Sequence, residues 1–242
     1  MLLSKIKGIL RSKGYELYTK PNQLNIVGIR SPNTIPNRFD DEIHVFYKVA
    51  PLKWHYHVYK VTTDPGTFWL RNPMQPQGTA ILAQGQYKGA YKIGLHQGKY
   101  KALVEAKPLT VIRDYDRDAK LDFRNGTKSK GMFGINIHRA SLNGITKQVD
   151  KYSAGCQVFA NISEFNEFMG LAEKHKSLHG NSFTYTLIDF RAVKRQTLKR
   201  WAIGSVSVAL GLTALWGILK RKNKKKNCLL NKNWQNPERK SI

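Results

Sequence analysis

Two stretches decide how this chain is read: Gly134-Ile135-Asn136-Ile137-His138 and Tyr152-Ser153-Ala154-Gly155-Cys156, whose cysteine lies 18 residues beyond the histidine of the first. The first is rich in β-branched residues and ends on an imidazole, which reads as a strand, Met132 to His138. The second places a glycine directly before one of only two cysteines, suiting a tight turn with close backbone approach. Together they read as a thiol nucleophile and its base. A free thiol titrates near about 8.5 and is mostly protonated at neutral pH, so it needs help to attack. A histidine, with a reference value of about 6.5, can take that proton and return it to a leaving amine. The N–H groups of Gly155 and Cys156 are candidate oxyanion donors. The structural alternative is a small buried cysteine and a hydrogen-bonded core histidine.

Around this pair the pattern is one of strands. Leu24–Arg30, Ile43–Val49, Trp54–Thr62, Phe68–Arg71, Gly78–Gln84, Leu109–Arg113 and Ser182–Phe190 are β-branched or aromatic runs bounded by turn residues. The Gly-, Tyr- and Lys-rich stretch Gly85–Glu105 reads as a hairpin, either with tyrosines lining a groove or with ordinary strand packing. A helix follows the cysteine, with Ser163 as N-cap and the apolar face Phe165, Phe168, Met169 and Leu171. Nothing repeats internally. The fold class is therefore mainly β, a β-rich α+β domain over residues 20–190 with a short helix after the nucleophile.

Two motifs resemble a known family. Gly134-Ile-Asn-Ile-His138 paired with Ser153-Ala-Gly-Cys156 resembles the histidine and Ser/Thr-His-Gly-Cys motifs of the L,D-transpeptidase (YkuD-like) family. Asp64-Pro65-Gly66-Thr67-Phe68 is similar to its Thr-Pro-x-Gly-x-Phe/Tyr segment. The likeness covers about residues 54–161. It departs at Arg139, where the family has glycine, at Ala154, where it has histidine, and at Val158, where it has an arginine. The resemblance implies an L,D-transpeptidase-like β-sandwich with Cys156 as nucleophile and His138 as base, oriented by a backbone carbonyl near Arg139. Ser153, Gly155 and Arg139 would contact the substrate. It further implies that Cys156 attacks a peptidoglycan stem peptide, that D-alanine leaves, and that a thioester passes to an amine or to water. No cofactor is implied.

The chain carries a formal net charge of +25, which favours anionic partners: wall polymers, lipid headgroups or nucleic acid. No nucleic-acid motif accompanies that charge. Residues 201–219 hold no charged residue over a length near the roughly 20 residues that cross a bilayer, and a basic cluster follows. The expected organisation is an amphipathic segment (1–19), the catalytic domain (20–190), a basic linker (191–200), a single transmembrane helix (201–219) and a basic tail (220–242). This predicts a single-pass membrane protein whose catalytic domain works on the cell-wall side. The absence of an export signal ahead of it suits a phage-type lysis enzyme. The N-terminal segment itself is either a membrane-surface helix or one packed on the domain.

Other polar groupings have competing readings. Two cysteines give no disulfide framework, and Cys228 in the tail is a candidate for acylation beside a membrane. His55 and His57 share one strand face but lack a third zinc ligand. Asp114, Asp116, Asp118 and Asp122 partly follow a calcium loop, yet Ala119 stands where the turn glycine belongs and no glutamate closes the loop at Asn125. The alternative there is an exposed acidic loop. Two other functions remain open: a different thiol hydrolase using the same dyad, and a membrane-anchored basic module that binds nucleic acid or anionic lipid without catalysis.

Overall fold

The computed structural model describes residues 2–123 and 126–190. Residues 191–242, including the expected transmembrane helix, the basic tail and Cys228, lie outside the described residues. Among the described residues no helix is long and apolar enough to cross a membrane.

The domain is mainly β. In chain order its elements are α1 (Leu3–Ser12), β1 (Asn25–Arg30), β2 (Asp41–Lys48), β3 (Trp54–Thr62), α2 (Thr67–Arg71), β4 (Thr79–Leu82), β5 (Gly85–His96), β6 (Tyr100–Glu105), β7 (Leu109–Asp114), β8 (Lys128–Gly131), β9 (Ile137–Arg139), β10 (Gln157–Phe159), α3 (Ile162–His179) and β11 (Phe183–Asp189). Eight strands close into a barrel in the order β1-β11-β5-β6-β9-β10-β3-β2, and β4-β7-β8 form a separate small sheet. The expected sandwich is thus replaced by a closed sheet. Closure follows from β1, which pairs parallel with β11 on one side and antiparallel with β2 on the other. Such closure removes free strand edges.

The core fills this barrel. β1 is buried along its whole length, as are Ile43, Val45, Tyr91, Leu103, Ile137, Phe159 and Tyr185. Helix α3 adds Phe165, Phe168 and Ala172 to the same cluster. Tyr91 is wholly buried and the Tyr87 hydroxyl donates to the Ala83 carbonyl, so these tyrosines of β5 pack the fold, whereas Tyr100 of β6 lines a pocket with Phe165 and Met169. Ile6 and Leu10 of α1 are fully buried, so the N-terminal helix packs on the domain.

Three local expectations are corrected. Phe68–Arg71 is helical, not extended. Gly66 supplies an extended N-cap, Leu70 is driven to full burial, and the turn lets the Trp69 indole N–H reach the Lys151 carbonyl at 3.0 Å. Aromatic strand preference yields here to tertiary contact. The expected strand Met132–His138 shrinks to β9. The N–H groups of Phe133 and Ile135 donate to the Glu105 carboxylate at 3.0 and 2.9 Å, and so are lost to any ladder. The cap of α3 is Asn161, whose Oδ1 accepts the Ser163 N–H at 2.9 Å; Ser163 lies in the first turn.

Candidate active site

Strands β9 and β10 pair in parallel with His138 opposite Val158 and Ile137 opposite Gln157. Strand alternation then sorts the side chains. Ile137 and Gln157 are fully buried on the barrel side, where the Tyr185 hydroxyl donates to Gln157 Oε1 at 2.8 Å. Val158 packs on the other face with Phe39, Val149 and Cys156. His138 and Cys156 therefore share a face, the thiol two register positions before the imidazole, level with Asn136. The Gln157 N–H to Asn136 carbonyl bond, 2.9 Å, extends the pairing to that step.

The histidine is held from three sides. Its Nδ1 lies 2.8 Å from the Arg139 carbonyl and 3.2 Å from the Tyr100 hydroxyl. The carbonyl is an acceptor only, so Nδ1 carries the proton and Nε2 keeps its lone pair. His96 stacks on the ring at a centroid distance of 3.9 Å, and Asn136 Nδ2 lies 3.0 Å from His96 Nδ1. Burial, with a smaller contribution from His96, lowers the His138 pKa to about 3. His138 is thus a neutral imidazole at rest.

The sulfur rests in a cradle of backbone. Asn136 N–H donates to Sγ at 3.4 Å, and the thiol faces the Gly134 carbonyl at 3.5 Å. Among the described residues it makes no hydrogen bond to His138. Burial pushes the thiol up to about 11, against the Asn136 N–H that favours the thiolate. One side of Cys156 nonetheless stays accessible. Glu105 builds this cradle. Its buried carboxylate accepts the Phe133 and Ile135 N–H groups and so fixes the two residues that flank Gly134. Nothing in the local sequence around Glu105 announces that role, because its partners lie 28 and 30 residues away.

The turn before the thiol is braced internally. Ser153 is fully buried; its hydroxyl donates to the Cys156 carbonyl at 2.8 Å and accepts the Gly155 N–H at 3.1 Å. Ser153 therefore shapes the turn and does not face a substrate, and the Gly155 N–H is already committed and unavailable as an oxyanion donor. Gly155 itself adopts φ +123°, with its Cα close enough to β4 that a Cβ would stand 2.2 Å from the Ala80 carbonyl oxygen. Arg139 contributes its carbonyl to His138 and stacks its guanidinium over Tyr100 at 3.9 Å.

The upstream motif meets the same turn. The Gly66 N–H donates to the Ser153 carbonyl at 2.9 Å. Fully buried Arg30 fixes the segment ahead of it, through Nε to Asp64 Oδ1 at 2.7 Å and through Nη2 to the Thr63 carbonyl at 2.8 Å. A pocket of about 310 Å³ opens beside the turn, walled by Trp69, Phe133, Met132 and Ala154. Neither Cys156 nor His138 lines it, but Phe133 and Ala154 lead directly to the sulfur and its cradle.

The remaining polar groupings are elsewhere. His57 Nδ1 pairs with Glu167 at 2.9 Å, and His55 Nδ1 lies 3.3 Å from the Tyr47 hydroxyl. Among the described residues no three His, Cys, Asp or Glu side chains are grouped to hold a metal. In the acidic loop, buried Asp114 accepts the Asp122 N–H at 2.9 Å and Asp116 accepts the Asp118 N–H at 3.2 Å, so these carboxylates brace the loop. Ala119 takes the left-handed turn, φ +64°, despite not being glycine. Comparison of the chain with protein-family models, with curated proteins and with solved structures returns no match.

Proposed function

We propose that this chain is a cysteine-dependent enzyme acting on peptidoglycan peptides, of the L,D-transpeptidase kind, with Cys156 as nucleophile and His138 as general base. The observation that carries the proposal is the orientation of His138. Its Nδ1–H is fixed on the Arg139 carbonyl, leaving Nε2 basic, and it shares a sheet face with the thiol two register positions away. The contact between Gly66 and the Ser153 carbonyl supports it by joining the two motif regions at one turn.

At rest both partners are neutral, so the reaction begins without a thiolate–imidazolium pair. On substrate binding the S–H leaves the Gly134 carbonyl and its proton passes to His138 Nε2 as Sγ bonds to the peptide carbonyl carbon. The imidazolium then returns that proton to the departing amine, and a thioester remains. An amine acceptor resolves it into a crosslink; water resolves it into a free acid. The basic surface would hold the anionic wall, and residues 201–219 would anchor the chain to a membrane.

Full-length protein incubated with isolated stem tetrapeptide, followed by mass spectrometry, tests this. Loss of the terminal residue, absent in Cys156→Ala, is the expected result. Equal spectra from both proteins reject the enzyme. A second reading is a non-catalytic basic module for nucleic acid or anionic lipid. It is favoured by the resting sulfur, which bonds to backbone and not to imidazole. Binding that falls steeply with salt and is unchanged by Cys156→Ala would select it.

A further inference from the structure

Helix α1 buries Ile6 and Leu10 on the domain and holds no acidic residue over Leu3–Ser12. Lys7 and Arg11 fall one turn apart on it. The Lys7 ammonium stands over Trp54, 3.5 Å from the ring centre, and that of Lys48 lies 5.6 Å from the same centre. Lys48 pairs with Trp54 across β2 and β3, so the cations reach the tip of that hairpin. There Lys53 is exposed and Leu52 is 95% exposed, an apolar side chain standing in water. Among the described residues none of Lys7, Arg11, Lys48 and Lys53 has a carboxylate partner. Lys7 is held below its ordinary value, first by desolvation and then by Arg11 and Lys48, as befits cations gathered without an anion.

Unpaired cations around an indole, beside a protruding leucine, have the chemistry of an interfacial anchor. Ammonium and guanidinium groups meet lipid phosphates, the indole sits at headgroup level, and the leucine dips below it. Nucleic acid also takes cations, but it stacks bases on open aromatic faces, and Lys7 covers a face of Trp54. The sequence favours lipid as well. Lys5 of the same helix lies 6.0 Å from the Phe190 ring, and the uncharged run 201–219 begins after ten further residues, five of them cationic. We propose that the face built by α1 and the β2–β3 hairpin docks on the surface of an anionic bilayer, with Leu52 and Trp54 at the headgroups and the four cations on lipid phosphates.

Docking by this face orients the barrel. Helix α1 reaches from Phe190, just past β11, to Trp54 at the start of β3, and so lies across β1 and β2. Strand β9 is the fourth from β1 in either direction around the barrel. A membrane against α1 therefore has β9 on the far side. On the peptide-acting reading above, this turns the Cys156 site toward the wall; the docking itself does not depend on that reading.

Full-length protein carrying Cys156→Ala, Cys228→Ser and Leu52→Cys is labelled at position 52 with an environment-sensitive dye. It is reconstituted in nanodiscs of phosphatidylcholine, with and without phosphatidylglycerol. A blue shift, with quenching by brominated acyl chains, is expected in the anionic discs alone. The same dye placed by Leu142→Cys, in the exposed loop after β9, should stay unshifted. Arg11→Gln with Lys53→Gln alters two exposed side chains and should lower the ratio of docked to undocked dye about 30-fold, from the roughly fivefold that each basic residue contributes at an anionic surface. Thermal unfolding shows that this variant is folded. Equal shifts in both kinds of disc, equal shifts at positions 52 and 142, or docking that survives in the folded variant would each overturn the proposal. A single-stranded oligonucleotide that shifts the dye at position 52 where anionic discs do not would assign the face to nucleic acid and also overturn it. Since every protein in the series carries Cys156→Ala, failure here leaves the enzyme reading untouched, and an inactive wild type leaves the docking intact.

Discussion

Replacing Gly155 with alanine should unsettle the turn that carries Cys156, and the size of the effect can be worked from two features. The first is backbone: φ +123° lies where L-residues are strained, at a cost on the order of 1–3 kcal/mol. The second is contact. The new Cβ would stand 2.2 Å from the Ala80 carbonyl oxygen, a backbone atom of a paired strand that cannot swing aside. Overpacking of that kind costs roughly 1–3 kcal/mol more. The sum, about 2–6 kcal/mol, is a large part of the roughly 5–15 kcal/mol that holds a domain together. The turn can escape only by lifting as a unit, because Ser153 Oγ ties Gly155 N–H to the Cys156 carbonyl. Lifting draws the sulfur off Asn136 N–H and the Gly134 carbonyl. Urea unfolding and the rate of thiol alkylation together read both consequences. Gly144→Ala is the control, since Gly144 also has a positive φ, +57°, but nothing within 4 Å of its would-be Cβ. The control should cost about 1 kcal/mol. If Gly155→Ala matched Gly144→Ala to within about 0.5 kcal/mol, with an unchanged alkylation rate, the inferred close packing on β4 would be wrong.

Two further outcomes are expected. With the thiol raised to about 11, alkylation of Cys156 in the folded protein should keep accelerating through pH 9 and 10; a plateau below pH 8 would contradict the raised, neutral thiol. Asp114 is raised to about 6, first by burial and then by Asp116, Asp122 and Asp118. An acid whose folded value exceeds its unfolded one holds its proton more tightly when folded. Its contribution is complete below about pH 4 and is lost as pH rises through about 6, up to about 3 kcal/mol. Asp114→Asn should therefore be the more stable protein at pH 7 and the two should converge near pH 4; parallel stability curves across that range would count against it.

The sequence by itself made the strands legible. Trp54–Thr62 is a strand over the predicted residues, and the Gly85–Glu105 hairpin falls where Gln97 and Gly98 permit left-handed backbone. Alternation and β-branching are local signals, and these segments lie where local preference and burial agree. A histidine at a strand end and a glycine before a thiol were also readable as chemical patterns, and the fold sets their two strands side by side with the sulfur bonded to backbone. Tertiary structure decided the rest. It closed the sheet into a barrel, since the parallel pairing of β1 with β11 joins segments more than 150 residues apart. It turned Phe68–Arg71 helical, where the Trp69 indole N–H meets the Lys151 carbonyl, and took Met132–Asn136 out of the sheet, where the Phe133 and Ile135 N–H groups meet Glu105. It buried Ser153 as a brace and brought Arg113 to the pocket. Residue patterns fix which atoms are available along the chain; which donor meets which acceptor depends on long-range packing, and that is a property of the closed fold.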